Sequence, residues 1–90
     1  MADATTTINS IIGVNSSNNK ITVYNKDNNP IATITISTTT TLDELFKELA
    51  KHDINAQIND GLISFDSPSG NYVKGPIIDA FGMTPTTITV

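Results

Sequence analysis

The amino-acid sequence predicts a small α+β domain made of two β-hairpins packed on one amphipathic helix. Two pairs of segments alternate apolar and polar residues around turn-forming residues, which is typical of hairpins. One further segment has apolar residues at helical spacing. The chain has 90 residues, of which 38% are hydrophobic, and Thr (14), Ile (13) and Asn (10) dominate. This composition favours strands and turns, and the length supports a single domain with a modest core.

The first hairpin is predicted from residues 20–25 and 31–37. Ile21 and Val23 share one face of the first segment, because side chains in a strand alternate between its two faces. Residues 27–30, Asp-Asn-Asn-Pro, are turn-forming, since Asn tolerates left-handed backbone angles and Pro stops a helix. The apolar face of the second segment consists of Ala32, Ile34 and Ile36.

The helix is predicted to begin after Thr41, which forms a capping box with Glu44. Acidic residues lie near its start, and Lys51 and His52 lie near its end, as the helix dipole favours. We expect Phe46, in the middle of the apolar stripe, to contribute about 3–5 kcal/mol if it is fully buried. The stripe consists of Leu42, Leu45, Phe46, Leu49 and Ala50.

The second hairpin is predicted from residues 54–59 and 62–65, because Asp60-Gly61 between them is a favoured pair for a two-residue type I′ turn. Residues 72–74 are expected to be extended. Residues 77–81 are expected to form one helical turn that Gly82 caps, and residues 86–90 a final strand.

The resulting β-β-α-β-β order is β-grasp-like, as at the start of ubiquitin-like domains. The chain ends in Ile88-Thr89-Val90 and not in the Gly-Gly tail of a conjugating modifier, so a modifier function is not expected.

The two ends of the sequence resemble each other. Residues 8–14 align with residues 77–83, and Ile-Thr-Val follows each, at 21–23 and at 88–90. This similarity indicates one unit of a tandem array plus the edge of the next. The expected division is an N-terminal segment (1–19, the end of a preceding repeat), an α+β domain (20–83) and a C-terminal strand or start of a repeat (84–90).

No catalytic, cofactor-binding or metal-binding residues are predicted. His52 is the only histidine, and it lies at a helix end beside Asp53 without a nucleophile motif. Asp27, Asn28 and Asn29 lack the Gly and Glu of a calcium loop and are interpreted as a turn. Glycines 61, 70, 75 and 82 are interpreted as turn or cap residues.

Several classes of protein are disfavoured by composition. The chain has no Cys, so thiolate chemistry and disulfides are excluded. Its net charge of −4 disfavours nucleic acid, and no apolar run approaches the ~20 residues that span a membrane. Tyr24 and Tyr72 are compatible with a contact surface or with packing on strand faces.

Residues 20–83 resemble the flagellin hook IN motif of bacterial hook-associated proteins, including filament-cap proteins, and of some flagellins. In that family the Ile-Asn pair usually lies near the helix end, where this chain has Leu49-Ala50. The resemblance implies an extracellular module of the flagellum without catalytic residues. The segments that carry it are Lys20–Val23, Thr41–Leu45, Ile54–Ile58, Asp60–Phe65, Lys74–Gly75 and Ile78–Met83.

The expected function is therefore a non-catalytic structural or spacer module of a secreted flagellar protein, with no cofactor. The expected partners are neighbouring repeats and flagellar filament or cap subunits, and the isolated domain is expected to be a monomer. The alternative is a repeat of a bacterial surface adhesin that binds a host or matrix ligand. A full-length gene distinguishes the two, because a flagellar protein has coiled-coil-forming terminal helices and an adhesin has a signal peptide and an anchor.

Overall fold

The computed structural model describes residues 2–80, and within them the α+β class and the β-β-α-β-β order are confirmed. The expected Gly82 cap and the expected strand at 86–90 lie outside the described residues. The elements are α1 (Ile8–Ile11), β1 (Lys20–Tyr24), β2 (Pro30–Thr35), α2 (Leu42–Ala50), β3 (Asn55–Asn59), β4 (Leu62–Asp66), β5 (Tyr72–Lys74) and α3 (Pro76–Ala80).

The first hairpin forms as predicted. Strands β1 and β2 pair antiparallel, with Ile21 opposite Ile34 and Thr22 opposite Thr33. Ile21, Val23 and Ile34 are buried, whereas Thr33 and Thr35, which flank Ile34 on β2, are exposed. One face of the sheet therefore belongs to the core, and the other meets solvent.

The start of β2 is irregular. The pairing shifts between Val23 and Tyr24, which lie opposite Ala32 and Pro30, so Ile31 is the extra residue of a β-bulge. Ile31 is 47% exposed. A proline and a bulge at the start of an edge strand hinder pairing with another chain along that part of the edge.

The strands divide into two antiparallel sheets, of order β2-β1-β5 and β3-β4. Strand β5 pairs with β1 on the side away from β2, with Val73 opposite Val23. The backbone just after β5 lies so close to β1 that residue 75 must be glycine, because a Cβ there would lie 2.7 Å from the carbonyl oxygen of Lys20. The β3–β4 hairpin packs with α2 instead.

The second hairpin confirms the predicted type I′ turn. Asn59 lies opposite Leu62, which leaves two residues in the loop. Asp60 and Gly61 both have positive φ, 52° and 78°, as this turn requires. Phe65 of β4 points into the core and is 5% exposed.

Helix α2 begins at the predicted capping box. The Thr41 side chain accepts a hydrogen bond from the Glu44 amide, and the Glu44 carboxylate accepts one from the Thr41 amide. The helix ends where Asp53 adopts a φ of 59° and Ile54 donates its amide to the Leu49 carbonyl, the pattern of a Schellman motif.

The buried face of α2 is narrower than the apolar stripe. Leu42, Leu45 and Leu49 are at most 2% exposed. Phe46 is half-buried at the edge of the core, and Ala50 is exposed. Phe46 does not meet the condition of full burial, because the line of contact with the core follows the leucines at i, i+3 and i+7.

The N-terminal segment packs on the same core as the rest of the domain. Ile8 of α1 is fully buried, and Ile12 and Val14 are partly buried against the core. Ile77 and Ile78 of α3 close it from the other end of the chain. The core residues at 6% exposure or less are Ile8, Ile21, Val23, Ile34, Ile36, Leu42, Leu45, Leu49, Ile54, Phe65, Val73, Ile77 and Ile78.

Truncation of Leu45 is expected to cost more stability than truncation of Phe46. Leu45→Ala removes a buried side chain and should lower the free energy of unfolding by about 2–5 kcal/mol. Phe46→Ala removes a half-buried ring and should cost no more than about 2 kcal/mol. Urea unfolding followed by circular dichroism measures both, and the reverse order would show that Phe46 belongs to the core.

Glycine is expected to be required at position 75 but not at position 13. Gly75→Ala places a Cβ against the Lys20 carbonyl and should cost about 1–3 kcal/mol. Gly13→Ala is the matched control, because a Cβ there meets nothing within 4 Å, and its effect should stay within about 0.5 kcal/mol. Equal urea midpoints for the two variants would contradict the close approach of β5 to β1.

Candidate functional site

The first turn of α2 is held by the N-terminal segment of the chain. The Leu42 amide donates to the Thr6 carbonyl at 3.0 Å, and the Asp43 amide donates to the Ala4 carbonyl at 2.9 Å. The first amides of a helix have no acceptor within the helix itself. Here, acceptors come from a segment 36 or more residues earlier in the chain.

The same segment makes an isolated antiparallel bridge between Thr7 and Thr41. Its second bond runs from the Ile8 amide to the Thr40 carbonyl at 2.9 Å. In this type of bridge the two residues that face each other do not use their own amides, since the bonds join the flanking residues. A residue without an N–H is therefore compatible with position 7.

A local turn precedes this contact. Asp3 accepts hydrogen bonds from the amide and the hydroxyl of Thr5, at 2.9 and 2.8 Å, and the Asp3 amide donates to the Thr6 hydroxyl at 3.0 Å. The side-chain hydrogen bond from Thr5 holds the pKa of the Asp3 carboxyl below its ordinary value. The turn directs the Ala4 and Thr6 carbonyls toward α2.

A shallow groove of about 300 Å³ lies between the edge strand β2 and helix α2. Its apolar lining comes from Ile34, Ile36 and Leu45. The charged groups around it include Lys47 and Glu48, which form ion pairs along the helix with Asp43 and Lys51. These pairs are exposed and contribute little to stability.

His52 and Asp53 act as structural residues at the end of α2. The Asp53 carboxylate accepts a hydrogen bond from the Ser69 amide at 3.0 Å, and the Asn71 side chain donates to the His52 carbonyl at 2.8 Å. These bonds fasten the end of the helix to the loop that leads into β5.

Residues 27–29 form the predicted turn. The Asn25 side chain accepts from the amides of Asp27 and Asn29, at 2.9 and 3.0 Å, and Asn28 has a φ of 66°. The carbonyl of Asn25 also accepts the Asn28 amide. The side chain that organises this loop is Asn25, which the sequence did not single out.

The two tyrosines pack on the sheet against each other. The ring centroids of Tyr24 and Tyr72 are 5.4 Å apart, with 14° between their planes, and Tyr72 is 8% exposed. The Tyr72 hydroxyl donates to the Asn28 side chain, and the Lys74 ammonium lies 5.3 and 5.8 Å from the two centroids. Of the two interpretations, packing agrees with this arrangement.

Three of the four glycines interpreted as turn or cap residues are described, and they occupy turns or a close approach. Gly61 and Gly70 have positive φ, and Gly75 lies against β1. Gly82 lies outside the described residues.

Within residues 2–80, the His, Asp and Glu side chains form no group of three or more that could hold a metal ion. In the same part of the chain, no helix combines the length and the apolar character that crossing a membrane demands.

Comparison with known proteins found no match. No family model matches it, and neither a curated protein nor a solved structure is significantly similar to it.

Sequence reasoning missed the contact between residues 4–8 and 40–43. The capping box indicated only where α2 begins, because its two residues, Thr41 and Glu44, lie three positions apart and bond to each other. The acceptors for Leu42 and Asp43 come from the backbone of a distant segment, which carries no side-chain signal. The similarity between the two ends of the sequence begins at Ile8 and so includes only the last residue of this segment.

Removal of the Thr41 cap should cost about 1 kcal/mol of stability, because the Glu44 amide loses its acceptor. The variant is Thr41→Ala, and chemical denaturation measures the change. Thr38→Ala, an exposed threonine in the same loop, is the matched control and should have an effect within about 0.5 kcal/mol. Equal losses in the two variants would contradict the role of the capping box.

Proposed function

We propose that the chain is a non-catalytic structural or spacer module, a repeat unit of a secreted protein of the bacterial flagellum. Its partners are neighbouring repeats and, through the parent protein, filament or cap subunits. The observation that carries this proposal is the correspondence of the two short helices α1 and α3.

These helices align with each other in the proposed repeat. Residues 8–11 and 77–80 align at an offset of 69 residues, and both segments are helical. Ile8 and Ile77 are the aligned leading residues, and both are fully buried in the same core. Similarity at the level of local structure and burial supports a genuine repeat over a chance resemblance in an Ile-rich chain.

The segments that resemble the flagellin hook IN motif fall on the elements that organise the fold. They include β1, the capping box of α2 and the turn at Asp60-Gly61. The face of the three-stranded sheet opposite the core carries threonines 22, 33 and 35, the stacked Tyr24 and Tyr72, and Lys20 and Lys74. Its threonines give part of this face a polar, uncharged surface, which suits a module that is exposed on an appendage.

Deletion of this segment from the parent gene tests the proposal. Export and filament assembly should continue, and surface properties such as adhesion or antigenicity should change. The matched control replaces the segment with an unrelated domain of similar length. Electron microscopy of filaments and immunodetection of the parent protein in sheared filaments provide the readouts.

Three results would overturn the proposal. Detection of the parent protein in a wall or membrane fraction instead of in filaments would favour the adhesin alternative. Retention of the parent protein inside the cell would exclude both. Turnover of a substrate by the purified domain that His52→Ala or Asp60→Ala abolishes would make the domain an enzyme.

A further inference from the structure

One face of the three-stranded sheet carries two lysines that are diagonal neighbours. Lys20 of β1 lies opposite Thr35 of β2, and Lys74 of β5 lies opposite Thr22 of β1. Lys20 and Thr22 are on the same face, because every second side chain of a strand is, and Lys74 joins them across the strands. Diagonal neighbours of this kind are about 7–8 Å apart, within the reach of two long side chains. Two positive charges therefore lie close together on the surface opposite the core.

No acidic side chain compensates these two charges. Strands β1, β2 and β5 contain no Asp or Glu. Within residues 2–80, Lys47 and Lys51 form ion pairs with acids of their own helix, whereas Lys20 and Lys74 form none. Residues 81–90 contain no Asp or Glu, so no side chain there supplies the missing charge. A protein with a net charge of −4 thus keeps an unpaired positive pair on one face.

Both ammonium groups are restrained by contacts with other side chains of the same face. The Lys20 ammonium donates to the Thr35 hydroxyl at 3.4 Å. The Lys74 ammonium lies over the rings of Tyr24 and Tyr72, and a cation is attracted to the face of an aromatic ring at these distances. Side chains that are already restrained lose less conformational freedom when a ligand binds.

Hydroxyl groups lie beside the two lysines. Thr33 and Thr35 are exposed, and the partly exposed Thr22 lies between Thr33 and Lys74. Within residues 2–80, the hydroxyls of Thr22 and Thr33 make no hydrogen bond to another protein group. A threonine hydroxyl both donates and accepts hydrogen bonds, as a sugar hydroxyl does. The face therefore combines positive charge with hydroxyls that can pair with a polyhydroxylated ligand.

We infer that this lysine–threonine face, made of Lys20, Thr22, Thr33, Thr35 and Lys74, is a binding surface for an acidic polysaccharide, a chain of sugars that carry carboxylates. The lysines bind the carboxylates, and the threonines bind the sugar hydroxyls. The inference goes beyond the proposed spacer role and does not depend on a flagellar parent protein.

The shape of the surface favours a polymer over a small anion. Small ligands are held in concave sites that bury most of their surface. A sheet face contacts its ligand from one side only, so each carboxylate gains little by itself, as in other exposed ion pairs. A polysaccharide repeats its carboxylates and hydroxyls along the chain, and the contacts that follow the first one form at a high effective concentration.

Titration of the full chain, labelled with ¹⁵N, with the hexamer of galacturonic acid tests the inference. Amide chemical shifts measured by NMR give both the location and the affinity of binding. We expect shifts at residues 20, 22, 33, 35 and 74 and none along α2. The matched probe is the fully methyl-esterified hexamer, which has the same sugar rings without the charge and should bind about tenfold more weakly.

Two double variants test the lysines. Lys20→Gln with Lys74→Gln removes both charges from the face and should weaken binding of the acidic hexamer about tenfold. Lys47→Gln with Lys51→Gln is the matched control, because it changes the net charge equally but on α2, and its effect should stay within about twofold. All four lysines are exposed, and the amide spectrum of each variant checks that the fold is retained.

Three results would overturn the inference. Absence of any amide shift on the lysine–threonine face would show that the hexamer does not bind there. Equal affinities of the two double variants would show that this face does not attract it. Equal binding of hexaglutamate, a peptide with as many side-chain carboxylates, would show that the face accepts acidic chains in general and is not a saccharide site. None of these results bears on export or filament assembly, so failure of this inference is distinguishable from failure of the proposed function.

Discussion

The first turn of α2 is the constraint on which the rest of the domain depends. Three leucines of this helix are buried, so the helix must lie on the core, and its leading amides must find acceptors there. A capping box satisfies the Glu44 amide locally. The two amides before it, of Leu42 and Asp43, donate to the carbonyls of Thr6 and Ala4, which brings the N-terminal segment onto the core.

Both sheets contribute side chains to the same core as α2 and the N-terminal segment. The β2-β1-β5 sheet presents Ile21, Val23 and Val73 on one face, and the separate β3–β4 hairpin contributes Phe65. Hydrogen bonds from Ser69 and Asn71 to the end of α2 hold the loop that brings β5 to β1. The start of α2 thus holds the N-terminal segment, and the residues after its end hold the loop that precedes β5.

Local chemistry predicted the elements of this fold well. The Asp60-Gly61 turn and the Thr41–Glu44 capping box each depend on residues a few positions apart, and the structure has both. The turn around Asp27 also formed, although Asn25, and not the residues of the turn itself, supplies the organising hydrogen bonds. Predictions of this kind succeed because the determining interactions lie within a single turn of chain.

The sequence by itself determined the α+β class, the β-β-α-β-β order, the capping box of α2 and the Asp60-Gly61 turn, because periodicity, caps and turn residues act locally. It did not predict the short helix α1. Only the tertiary structure decided that Leu45 and not Phe46 lies fully inside, since both have helical spacing and the sheets select the contact line. It also decided that β5 joins β1 and that Ala4 and Thr6 hold α2. Those contacts join backbone groups distant in sequence, and backbone groups are the same in every residue, so no residue type marks them in advance.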